Sequence, residues 1–182
     1  MLADETLPYD IDQVIWSCSL DQAIGSQAIS LKPELAQVIT YPGSLTRYFQ
    51  HKAGSIPVII ELLSQHTRQA SYSEAKLLQC AEIDVQITER IIYMSVSNTR
   101  WLYARSHFSP DAINYLNKDL KNLGDKPLGL LLIESYPDII RGNFEYGVIN
   151  NNIIRRSLYK LDNQILFSLD EIFLPALALI IT

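Results

Sequence analysis

Residues 164–175 read QILFSLDEIFLP, and one acid interrupts an apolar alternation there. Successive side chains of a strand point to opposite faces, so Ile165, Phe167, Leu169, Glu171 and Phe173 share a face. A carboxylate among bulky hydrocarbons is costly unless it is paired or protonated. Either arrangement suits proton transfer or the gripping of a ligand hydroxyl. A strand that twists Glu171 into solvent, or a structural ion pair, accounts for the same pattern without function.

The natural counterpart is Arg90, in QITERIIYM, where Thr88, Arg90, Ile92 and Met94 share a face. A guanidinium offers two parallel N–H donors that match a carboxylate, which is what a pocket for an organic acid requires. The competing reading turns Arg90 to solvent and Ile87, Ile91 and Tyr93 inward. Arg105, Arg141, Arg155 and Arg156 also lie on or near expected strands, where arginines are mostly solubilising. Neighbours Arg155 and Arg156 must point to opposite faces, so one of them can turn inward. Spacing leaves open which.

Other chemistries lack their residues. His51, His66 and His107 have no metal-ligand spacing and read as surface or hairpin positions. GxSxG, P-loop and GxGxxG motifs are absent. Trp16 and Trp101 read as core or hairpin residues. No metal, nucleotide or flavin is expected.

The elements that must position these groups can be read from pattern. The 182 residues suit one domain, 1–182, with a real core. Helices are expected at 32–39, with Pro33 near the start, and at 43–52, with Ser44 as N-cap. Residues 56–65 form a strand, and the polar stretch 66–76 is a loop or flap. Strands at 84–96 and 100–108 form a hairpin through SNT. A helix follows at 109–124, capped by Ser109 and ended by Gly124. PLGLLLIES (127–135) is a short helix or buried turn, and three more strands follow, the last two joined by DNQ. The run IFLPALALIIT, too short to span a bilayer, closes the core as a last strand. The expected fold is α+β: an antiparallel sheet of about six strands with helices packed on one side.

A net charge of −5 argues against nucleic acid, whose binders carry a basic footprint. It also means that an anionic ligand needs a local arginine. Cys18 and Cys80 form no CxxC motif, and the acidic MLADETLPYD is no signal peptide, so a reduced, cytoplasmic protein without a membrane segment is expected.

Taken in order, GSLTRYF (43–49), ERIIYM (89–94), RWLYARSHF (100–108), LGDKPLGLLL (123–132), IIRRS (153–157) and DEIFLP (170–175) resemble the chorismate lyase family over roughly residues 43–175. The resemblance implies a ligand enclosed beneath flaps, no cofactor, and conversion of chorismate to 4-hydroxybenzoate and pyruvate for quinone head groups. It puts the family's ligand-binding arginine on Arg90, its acidic residue on Glu171, and its main-chain contacts on Leu45 and Leu128. Arg155 or Arg156 is a further candidate, for the pyruvyl carboxylate. The segment 61–88 is longer and more polar than in the better-known members, and NNNII replaces the glycine-tryptophan stretch that often precedes RRS. Two rival readings remain: a benzoate-type binding domain related to regulator effector domains, and an interaction domain with no small ligand. The short, acidic residues 1–42 do not suit a DNA-binding unit. Oligomeric state is not set by the sequence.

Overall fold

The computed structural model describes residues 13–25 and 29–179. The elements run α1 (Leu20–Gly25), α2 (Pro33–Ile39), α3 (Leu45–Ala53), β1 (Val58–Gln69), α4 (Tyr72–Leu77), β2 (Gln86–Val96), β3 (Thr99–Phe108), α5 (Pro110–Lys121), α6 (Leu128–Ser135), β4 (Ile140–Ile149), β5 (Asn152–Leu161) and β6 (Gln164–Phe173), then a 3-10 helix at Pro175–Leu179. The six strands form one antiparallel sheet in the order β1-β2-β3-β6-β5-β4. The fold is α+β, as the pattern of elements predicts.

Turn chemistry sets the registers. Three hairpins close through Ser97-Asn98, Asn150-Asn151 and Asp162-Asn163, and all six residues have φ between 48° and 69°. Two central residues at positive φ twist the chain in the sense of the flanking strands, and Asn and Asp tolerate that conformation best. Both outer strands are irregular: β1 shifts register between Leu62 and Ser64, and β4 between Arg141 and Phe144.

Each face of the sheet is covered. On one, α1, α2 and α3 pack with Met94, Trp101, Leu102 and Phe173, while α5 and α6 pack with Phe108, Tyr159 and Phe167. Full burial of such a side chain contributes roughly 1.5–3 kcal/mol. The other face is covered by Val14 and by α4, whose Ala75 packs with Leu78 and Ile87.

Three expectations are corrected. The stretch 66–76 is no loop: β1 continues to Gln69, and Ser71 then caps α4 in a reciprocal capping box with Glu74. Its polar residues belong partly to a sheet edge and partly to the face of α4 turned to buried ions. Pro175–Leu179 is a 3-10 helix rather than a strand, and its Leu177 is fully buried in the core that includes α3 residues; residues 180–182 of the expected strand lie outside the described residues. The helices are not all on one side, because α4 lies on the opposite face from the rest.

Candidate active site

Strand pairing decides which side chains can meet. Arg90, Ser106, Leu169 and Ser157 lie abreast on β2, β3, β6 and β5, and Ala104, Glu171 and Arg155 lie abreast two residues along. An even offset keeps both rows on one face. That face, α3, α6 and the chain at 42–44 border a partly open cavity of about 440 Å³, of a size suited to a small ligand. Arg90, Glu171, Leu45 and Leu128 all line it, against a hydrocarbon wall that includes Ile60, Ile92, Met94, Leu102 and Leu169.

Arg90 is 2% exposed. Its Nη2 donates to the carbonyls of Gly124 (2.9 Å) and Lys126 (3.0 Å). Gly124, at φ 54°, reverses the chain after α5 and brings those carbonyls to the guanidinium. Burial pushes the group down to about 10, with Asp125 acting in the opposite direction, so it stays charged at neutral pH. Nη1 is buried and has no partner among the described residues. An unmet buried donor of this kind is costly, and an anion in the cavity would satisfy it.

Glu171 is 6% exposed and Arg155 fully buried. Arg155 donates to Glu171 Oε2 from Nε (2.8 Å) and Nη2 (2.6 Å), and from Nη1 to the carbonyls of Ile39 (2.8 Å) and Tyr41 (3.0 Å). Its guanidinium also lies 4.2 Å from the Phe144 ring centroid. So Glu171 forms a structural ion pair and lines the cavity as well. Oε2 takes both bonds, and Oε1 remains for whatever occupies the space.

Leu45 and Leu128 are the first residues of α3 and α6. Their N–H groups belong to the opening turns, which have no acceptor within the helix and sit at its positive end. Two such termini at one cavity favour an anionic or acceptor-rich ligand.

The adjacent arginines split as strand geometry demands. Arg155 lies on the cavity side, behind Glu171. Arg156 points to the other face, pairs with Asp170 at 2.7 and 2.8 Å, and lies 3.7 Å from the Trp16 ring centroid. Neither lines the cavity.

That other face holds a network which spacing did not disclose. His107 belongs to the β2–β3 hairpin but is 1% exposed, with Nε2 3.2 Å from both Glu74 and Glu89. Arg68 bridges Glu74 (2.6 Å) and Glu89 (2.7 Å), and Arg105 also pairs with Glu89. Burial alone would push the Glu74 carboxyl up, but Arg68, His107 and the Ser71 amide outweigh it and hold the group at about 2. For Glu89 burial is likewise outweighed, by His107, Arg68 and Arg105, and its carboxyl is held below the usual range. Glu74, Glu89 and His107 are close enough to share a cation, but arginines already fill that role.

Arg141, which sequence pattern groups with the solubilising arginines, and Ser106, which it does not single out, also line the cavity. The parity of β3 marks Ser106. For Arg141 the needed signal was its pairing with Tyr159, which no spacing in the chain announces.

Comparison with known proteins bears on the family and the fold. The family model described as chorismate lyase matches residues 12–179. A protein of Pseudoalteromonas translucida (strain TAC 125), named "Probable chorismate pyruvate-lyase", is 25% identical over 176 residues, covering 87% of this chain and 94% of that protein. Two solved structures share the fold. They are YydK of Bacillus subtilis, a possible transcriptional regulator (11% identical, 87% of this chain and 85% of that one, TM-score 0.52), and the effector domain of PhnF from Mycobacterium smegmatis (9%, 74% and 90%, TM-score 0.52).

Proposed function

The chain belongs to the chorismate lyase family, and from that premise we propose that it converts chorismate to 4-hydroxybenzoate and pyruvate without a cofactor. The observation that carries the reading is Arg90, a buried cation with one unmet donor, lining the same small cavity as Glu171.

In the reaction the ring carbon that bears the hydroxyl loses its hydrogen. The neighbouring carbon–oxygen bond breaks, and the ring becomes aromatic. The departing enolpyruvate gains a hydrogen at its methylene carbon and becomes pyruvate. No strong nucleophile is needed; the protein must hold a reactive conformer and manage protons. Arg90 clamps the ring carboxylate through Nη1. Glu171 Oε1 accepts the ring hydroxyl, with Arg155 fixing the other oxygen. The Leu45 and Leu128 N–H groups complete the grip. The hydrocarbon wall excludes water, which strengthens each of these contacts. We place the reaction in the cytoplasm, in one domain spanning the chain, with its product feeding quinone head groups.

The test is to incubate the purified protein with chorismate, without added metal, and to follow both products by chromatography. Equimolar 4-hydroxybenzoate and pyruvate are expected. Arg90→Ala should weaken product binding about a hundredfold, as loss of a buried charged pair implies, while Glu171→Gln keeps the fold and loses rate. Circular dichroism must accompany both variants. Tight 4-hydroxybenzoate binding without turnover would make the protein a benzoate-type binder instead, and wild-type kinetics in both variants would remove these assignments.

A further inference from the structure

The charges around the cavity do not sum to zero. Glu171 is matched by Arg155. Arg90 has only carbonyl partners. A third arginine, Arg141 on the edge strand β4, also lines the cavity. It pairs with Tyr159, which pairs with Phe167, then Phe108, then Thr88. Thr88 is two residues from Arg90, so this row lies on the same face as Arg90 and Glu171.

The half-buried Arg141 guanidinium packs 4.9 Å from the Phe144 ring centroid. It also reaches the buried Tyr159 side chain. The register shift after Arg141 re-aims β4 at this point. Among the described residues no carboxylate pairs with Arg141. The cavity thus carries two cations without an ion-pair partner among the described residues, on β2 and on β4, flanking a neutral ion pair; Asp125 acts on Arg90 only from beyond ion-pair distance, and the chain's net charge is −5.

A monocarboxylate can answer only one of those cations. We propose that Arg141 is a second carboxylate site that selects a dianionic ligand and holds the side-chain carboxylate of the substrate while Arg90 holds the ring carboxylate. Resting on the lyase reading above, this assigns Arg141 to the enolpyruvyl carboxylate, and to pyruvate once the carbon–oxygen bond has broken. Arg141 then sets specificity, and the aromatic product, which has one carboxylate, does not use it.

The test compares benzoate with 3-(carboxymethoxy)benzoate, an unreactive dicarboxylate, by calorimetry on the wild-type chain, Arg141→Gln and Arg141→Lys. The wild type should prefer the dicarboxylate about tenfold or more, as a charge-assisted pair implies. Arg141→Gln should erase the preference and leave benzoate affinity within about twofold, and Arg141→Lys should keep part of it. For chorismate, KM rises about tenfold in Arg141→Gln while inhibition by 4-hydroxybenzoate is unchanged. A dicarboxylate preference that survives in Arg141→Gln, equal loss for both ligands, or no preference in the wild type overturns the proposal. Absence of chorismate turnover in the wild type would refute the lyase reading alone, because the binding comparison needs no turnover.

Discussion

Replacing Arg155 with Met should be the most damaging single change on the cavity side of the sheet. The arginine is fully buried, and its removal strands the Glu171 carboxylate, itself 6% exposed. Breaking a buried ion pair from one side costs about 3–5 kcal/mol. The carbonyls of Ile39 and Tyr41 also lose their donor. Methionine returns some packing against Phe144 and Phe173, so the net loss should be about 4 kcal/mol. With an m-value of about 2 kcal/mol/M, the urea midpoint falls by about 2 M. The double variant Arg155→Met with Glu171→Gln removes both charges of the pair and should recover about 2 kcal/mol relative to the sum of the single variants. The assay is equilibrium urea unfolding of all four proteins at neutral pH. If the two single losses simply add, the carboxylate and guanidinium are not coupled, and the account of Glu171 as an anion fixed by Arg155 fails.

Stability should also fall in acid through the network on the opposite face. Glu74 titrates at about 2 in the folded chain against an ordinary 4.5. A depressed carboxyl stabilises the fold above its unfolded value and loses that contribution as pH falls through the folded one, here between about 4.5 and 2. At about 1.4 kcal/mol per unit the shift gives ~3 kcal/mol, and allowance for solvent screening brings it to about 2. Urea midpoints of Glu74→Gln should be flatter than wild type across that range, and parallel curves would reject the assignment. Gly147→Ala should lower the melting temperature by roughly 2–12 °C, because overpacking costs about 1–3 kcal/mol. A Cβ there overlaps Val14 and meets Ile15 O at 3.2 Å and Ile154 at 3.3 Å. An unchanged melting curve would show that the Val14 segment yields freely.

Much of this architecture could be read from residue order because its signals are local. Ser44 and Ser109 cap α3 and α5, Pro33 and Pro110 open helices, and paired Asn and Asp residues close hairpins. The shared face of Glu171 with Phe167 and Leu169 follows from period two alone, but Ile165 leaves it, because the register shift beside Tyr159 turns Ile165 to the opposite face with Ala75 and Ile87. The reading that turned Arg90 to solvent fails, although Ile87 and Tyr93 are buried as it expected. Both faces of the sheet are covered, so Ile87 can be buried on one side while Arg90 is buried on the other. Inward and outward lose their meaning in such a strand. For the same reason the split of Arg155 from Arg156 needed the register of β5 against β6. The α4 helix was hidden because its polar residues answer ions on distant strands, and Glu74 makes sense only beside Arg68 and His107. Arg141 was hidden because its place depends on a bulge and on a partner 18 positions later.

The sheet does not close on itself, so β1 and β4 are its edges, and on β4 the bridge from Ser17 already answers both backbone groups of Tyr146. In both strands the register slips partway along, at Leu62–Ser64 and at Arg141–Phe144. A foreign strand laid against either margin would match for a few residues and then fall out of phase. The irregularity that aims Arg141 into the cavity therefore also spoils the margin as a template for fibres, and straightening it would endanger solubility together with selectivity.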